Sequence, residues 1–128
     1  MTPLKTLFSI IEIGGYPDFN NLYQHAGYQV TQINSMRKAL ALLKTTQPQV
    51  IVAEFIFNPK HGMFISNVDS LLALIAAQRP HTHLIFFVYP EELHHLEKLR
   101  QRYTELIQLS ALCHPITAQQ LCNQLNGC

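Results

Sequence analysis

Two glutamates are the residues of this chain best placed to do chemistry. Glu12 lies near the end of one apolar run and Glu54 interrupts another. Two carboxylates, with a backbone carbonyl and waters, make a weak site for a hard cation such as Mg²⁺. The plainer role, which we favour, is that of hydrogen-bonded carboxylates at strand ends, so no cofactor is expected. His114 is the third candidate: an imidazole near Glu54 would give a pH-sensitive or acid–base pair. His81 and His83, two residues apart, would share one face of a strand. His94 and His95 are adjacent on a helical segment and should point different ways. With Cys113 and His114 these are zinc-type ligands. No Cys-x-x-Cys or His-x-x-x-His spacing assembles them, and solvent-facing or hydrogen-bonded histidines are the expectation. The chain has no glycine-rich phosphate loop, no G-x-S-x-G and no Cys or Ser beside a plausible base, so no enzyme is expected.

A second set of candidates is apolar. Phe57, Met63, Phe64 and Ile65 surround a segment with Pro59 and Gly62. They can plug a pocket at the strand ends or anchor a protein partner from an exposed loop. Phe55 beside them reads as core.

The elements that must position these residues alternate. Residues 4–13 are a strand-like apolar run broken by Gly14 and Gly15. Residues 17–25 suit a helix that starts on Pro17, has Asp18 at its positive end and stops at Gly27. A short strand at 28–33 follows, then a helix capped by Ser35 with Met36, Ala39, Leu40 and Leu43 on one face. Residues 50–57 are apolar apart from Glu54, the pattern of a strand covered on both faces. A loop over 58–65 leads to a helix at 67–79 ended by Pro80, and a buried strand at 84–88. Pro90 opens a helix carrying Leu93, Leu96 and Leu99; a fifth strand falls near 106–112. Thr117 and Gln120 have the spacing of a capping box for a last helix with Leu121 and Leu125. Strands alternating with helices predict a doubly wound parallel α/β sheet with helices on both faces. Functional groups then belong at the carboxyl ends of the strands.

Size and charge narrow the function. The 128 residues fit one domain, taken as 1–128, with a core of useful size. Hydrophobic residues make up 48% and charged ones 13%, which leaves apolar surface for a partner. Nine Lys and Arg against eight Asp and Glu give no clustered basic excess, so nucleic acid is not an expected partner. No apolar run has the roughly 20 residues of a membrane span. Three cysteines without a secretory signal suit a reducing cytoplasm, with Cys113 and Cys122 read as small buried residues.

Two stretches carry a family resemblance. GYQVTQINSMRKALALLKTTQPQVIVAEF resembles the second strand, second helix and third strand of the receiver domain of bacterial response regulators. LCHPITAQQLCNQL resembles its fifth strand, proline and last helix. The resemblance covers nearly the whole chain and implies a flavodoxin-like five-stranded sheet of order 2-1-3-4-5. It also implies a phosphoryl site of acidic residues, an aspartate after the third strand, a Ser or Thr after the fourth and a Lys after the fifth. Here Glu54 takes the aspartate position, Glu12 alone serves as the acidic pair, Val88 takes the Ser/Thr position and His114, followed by Pro115, the Lys position. The aromatic switch position falls near Ala111. Glutamate is one methylene too long for in-line attack. Together these departures imply an atypical, pseudo-receiver module of two-component signalling that binds proteins independently of phosphorylation. Its partner would be a signalling protein in trans or a second copy, docked through the last two helices and fifth strand. The alternative is a small-molecule sensor with a pocket formed by Glu12, Glu54, Val88 and His114.

Overall fold

Long apolar runs and well-placed caps set the architecture of the computed structural model, which describes residues 5–15, 17–58, 65–79, 81–106 and 108–125. The chain runs β1 (Lys5–Ile10), α1 (Asn20–His25), β2 (Tyr28–Ile33), α2 (Met36–Leu42), β3 (Val50–Glu54), β4 (Phe57–Asn58), β5 (Ile65–Ser66), α3 (Asp69–Gln78), β6 (His83–Val88), α4 (Leu93–Gln101), β7 (Leu109–Cys113) and α5 (Ala118–Leu125). A single 3₁₀ turn, Pro90–Glu92, leads into α4. The five long strands form one sheet in the order β2-β1-β3-β6-β7. Every pairing within it is parallel. This is the flavodoxin-like order 2-1-3-4-5 expected from the sequence.

The caps hold as anticipated. Ser35 Oγ accepts from Lys38 N at 3.2 Å at the start of α2. Thr117 and Gln120 close a reciprocal box, Gln120 N donating to Thr117 Oγ1 at 3.2 Å and Thr117 N to Gln120 Oε1 at 2.9 Å. The expected helix over 17–25 is shorter, beginning at Asn20, because Asp18 Oδ1 takes the Asn20 N–H at 2.9 Å in a turn ahead of it. The two ends of the loop predicted over 58–65 are joined by short antiparallel strands, Phe57 pairing with Ser66 and Asn58 with Ile65. Two-residue strands are too short to show a period, which is why the sequence reads them as loop.

Alternation along the strands sends side chains to two cores. Phe8, Ile10, Ile51, Ala53, Leu84, Phe86 and Val88 pack against α2, α3 and α4 through Met36, Ala39, Leu71, Leu72, Ile75, Leu96 and Leu99. Leu7, Val50, Val52, Ile85, Phe87 and Leu112 pack against α1 and α5 through Tyr23, Leu121 and Leu125. The leucine stripe expected on α4 is therefore core, with Leu93 half-buried at its start. Cys113 and Cys122 are each half-buried and not buried as expected, and Cys113 is a free thiol. Among the described residues no helix is long and apolar enough to cross a membrane.

Candidate functional site

The chain leaves β1 through Ile11 and turns across the carboxyl end of β3. Gly14 has φ +85°, a conformation that side chains with a Cβ rarely adopt. Its neighbours leave room for a methyl group, the nearest atom being Ile11 Cγ2 at 3.9 Å, so backbone shape rather than space calls for glycine here. The turn aims three successive backbone N–H groups inward. Glu12 N and Ile13 N donate to Glu54 Oε1 at 2.5 and 2.9 Å, and Gly14 N donates to Glu54 Oε2 at 2.8 Å. The Glu54 residue is 6% exposed. Its carboxylate is thus seated in an anion-binding concavity of main-chain amides formed by its own chain. An aspartate, shorter by a methylene or about 1.5 Å of reach, would not span to the same amides.

Glu12 turns the other way. Its Oε1 accepts from Asn67 Nδ2 at 2.9 Å, and its Oε2 lies 3.4 Å from Met36 N at the first turn of α2. Asn67 is the central clasp. Besides Glu12 it donates from Nδ2 to the Glu54 carbonyl at 2.7 Å, and its Oδ1 accepts from Ile56 N at 2.7 Å. Its own N–H donates to the Ile56 carbonyl at 3.0 Å. The structure brings Glu12 and Glu54 together through N–H donors, not around a shared cavity. Donor N–H groups on both carboxylates do not form the oxygen-ligand shell that Mg²⁺ takes.

The other candidates divide by strand parity. Val88 is fully buried on the α2–α3–α4 face. Residues 50 and 52 of β3 and 112 of β7 face the opposite core, so alternation puts Glu54 and His114 on that opposite face. The Val88 side chain therefore points to the other face, while its backbone stays beside β7 through the pairing of Val88 with Cys113. Tyr89, which the sequence places only at the end of the fourth strand, is the neighbour of His114. Its ring is stacked on the His114 imidazole, centroids 4.1 Å apart and planes 19° apart. Continuous apolar runs hide parity, and Leu84–Val88 gave no clue to it. His114 N also donates to the Val88 carbonyl at 2.9 Å, and the His114–Pro115 peptide is cis. Two large apolar side chains at these strand ends are exposed, Ile13 at 75% and Tyr89 at 51%.

Of the predicted partner loop, Phe57 is half-buried and stacked on His95 of α4, centroids 3.7 Å apart. Ile65 contributes its backbone to β5, while Met63 and Phe64 lie outside the described residues. The histidines are dispersed. His81 lies in the turn before β6 and not on the strand face with His83. The His94 and His95 rings do not diverge but touch, with centroids 3.9 Å apart. Among the described residues no three His, Cys, Asp or Glu side chains are placed to hold a metal ion.

His83 is a half-buried member of this histidine set. Its Nε2 lies 3.3 Å from Ser110 Oγ, and partial burial lowers its pKa below the ordinary histidine value, with a hydrogen bond to Gln124 acting in the opposite sense. The unfolded chain then binds a proton at this position at higher pH than the folded one does. Stability contributed here is present above the unfolded histidine pKa and is lost as pH falls through it. Thermal melts from pH 7.5 to 5 should show a decline that is shallower in His83→Gln. Parallel profiles for the two proteins would show that His83 does not contribute.

No protein-family model matches the chain and no curated protein matches it. Solved structures do. A response regulator receiver protein from Sinorhizobium medicae aligns with TM-score 0.70 at 18% identity, over 96% of this chain and 92% of that one. A receiver-domain protein from Clostridium thermocellum aligns with TM-score 0.68 at 18% identity, over 96% and 92%. The chemotaxis response regulator CheY4 of Vibrio cholerae gives 0.65 at 13%, over 97% and 98%. The chain therefore has the receiver fold over nearly all its length.

Proposed function

We propose that this chain is a signalling module of receiver architecture that works by docking on another protein and takes no phosphoryl group. The observation that carries this reading is the engagement of Glu54: both carboxylate oxygens accept main-chain N–H groups from residues 12–14. An oxygen held this way is poorly placed to attack a phosphoryl donor, and in-line attack tolerates little displacement. Neither Val88, buried on the other face, nor His114, stacked under Tyr89, offers the hydroxyl or ammonium that would receive a new phosphate. What the strand ends do offer is exposed apolar surface at Ile13 and Tyr89 over a fixed polar base. A rigid base with an aromatic at its centre has the composition of a protein-binding hot spot.

The test has two arms. Intact-mass analysis after incubation with Mg²⁺ and acetyl phosphate should show no phosphoryl adduct, and an adduct would end the reading. A partner captured by the wild-type protein should bind equally with and without Mg²⁺ and acetyl phosphate, and be lost from Ile13→Asp and Tyr89→Ala. Binding that needs Mg²⁺ and acetyl phosphate, or survives both substitutions, would contradict it.

A further inference from the structure

A groove lies between the β4–β5 hairpin and α4, on the opposite side of the sheet from Glu54, with a volume of about 240 Å³. Its apolar lining is Phe55, Phe57 and Leu99; Phe55 and Leu99 are buried against the core. Phe57 is held in place by the His95 ring, stacked at 8° between planes. Lys98 and Arg102 also line it, four residues apart along α4 and both exposed. Residues at that spacing share a helix face. Among the described residues neither joins an ion pair; the pair on this helix links Arg100 to Glu97 at 4.0 Å. The groove's one acid, Asp69, already accepts the Ser66 hydroxyl at 2.5 Å and sits in the first turn of α3, where negative charge is favoured. Two cations therefore line an apolar groove whose one carboxylate is already engaged. His95 reports the same local field: its pKa lies below the ordinary value, through desolvation first and then the positive charges of His94 and Lys98.

We infer that this groove is a binding site for a small aromatic carboxylate, with the ring on Phe55, Phe57 and Leu99 and the carboxylate between Lys98 and Arg102. The chemistry sets the class. A neutral ring would leave the two cations unanswered, and inorganic phosphate would leave the floor wet. The volume is below the roughly 300–1,000 Å³ of drug-sized sites, so the ligand has one or two rings. The site is separate from the strand-end surface and does not rest on the docking reading.

The experiment is a backbone amide NMR titration of the full chain with three probes: 2-naphthoate, 2-naphthamide and inorganic phosphate. Saturable shifts with 2-naphthoate should centre on Phe57, Ser66, Asp69, His95 and Leu99. 2-Naphthamide and phosphate should each bind at least about tenfold more weakly, the loss expected for a missing charge-assisted contact or a missing ring. The double variant Lys98→Gln, Arg102→Gln, altered only at exposed positions, should keep the wild-type spectrum elsewhere and weaken 2-naphthoate by about tenfold or more. Absence of saturation at millimolar 2-naphthoate, shifts centred on another region, equal binding of 2-naphthamide, or unchanged binding by the double variant would each overturn the assignment.

Discussion

Glu54→Ala should destabilise the fold by about 3 kcal/mol, lowering the midpoint of thermal unfolding by about 10 °C. Three N–H groups aimed at one carboxylate lose their acceptor together, and hydrogen bonds to a charged group contribute about 1.5–3 kcal/mol each before water replaces any of them. Residues 12 and 13 are exposed, so water recovers part of this and the sum of three bonds is not expected. Glu54→Gln keeps the length and one acceptor oxygen for Glu12 N and Ile13 N, but turns an amide donor toward Gly14 N. It should lose less than Glu54→Ala. Hydrogen exchange gives the local readout: the amides of Ile13 and Gly14 should be protected in the wild type and exchange freely in Glu54→Ala. An alanine variant within about 0.5 kcal/mol of wild type, a change typical of inert surface positions, would show that the carboxylate does not hold the loop.

Asn67→Asp should be as damaging, although it changes a single atom group. The Asn67 carboxamide is used at both ends: Oδ1 accepts from Ile56 N, and Nδ2 donates to Glu12 Oε1 and the Glu54 carbonyl. Aspartate preserves the acceptor but sets an oxygen where the donor stood, 2.7–2.9 Å from two other oxygens, one of them a carboxylate. Two acceptor–acceptor contacts and a like-charge pair should cost about 3 kcal/mol, at least as much as Asn67→Ala, which only deletes the bonds. The variant should also regain stability relative to wild type as pH falls through the carboxylate range, because protonation of the new group restores a donor. Denaturant unfolding of both variants at pH 7 and pH 4 measures this; an Asn67→Asp variant more stable than Asn67→Ala at pH 7 would mean the donor end of Asn67 carries little.

What the sequence disclosed about this site follows from what kind of signal each part leaves. The strands were legible because apolar runs such as Val50–Ala53 and Leu84–Val88 need cover on both faces, and β2 matches its predicted bounds at Tyr28–Ile33. Ser35 and Thr117 with Gln120 were legible because capping is a local relation of three residues. Glu54 could be singled out as a lone charge in an apolar run. Its acceptors' partners could not, since main-chain amides carry no side-chain signature beyond the glycine at 14 that lets them turn inward. Asn67 reads as an ordinary polar residue near a helix start, and only the fold brings it to Glu12, fifty-five positions away. Val88 was assigned to the site because the family resemblance puts the Ser/Thr position there; the apolar run Leu84–Val88 conceals which of its residues faces which layer, and Tyr89, one position on, has the parity of Glu54.

The fit between Glu54 and the amides of residues 12–14 also bears on which sequences can neighbour this one in mutational space. A Glu54→Asp change shortens the side chain and abandons part of that seat, so stability falls at once. On the docking reading proposed above, it brings no compensating phosphoryl transfer while Val88 stays buried and His114 stays under Tyr89. Each of those positions, changed alone, meets the same difficulty. On that reading, the route to a phosphorylatable relative loses stability at its first step, and the loop acts as a ratchet that favours glutamate at position 54.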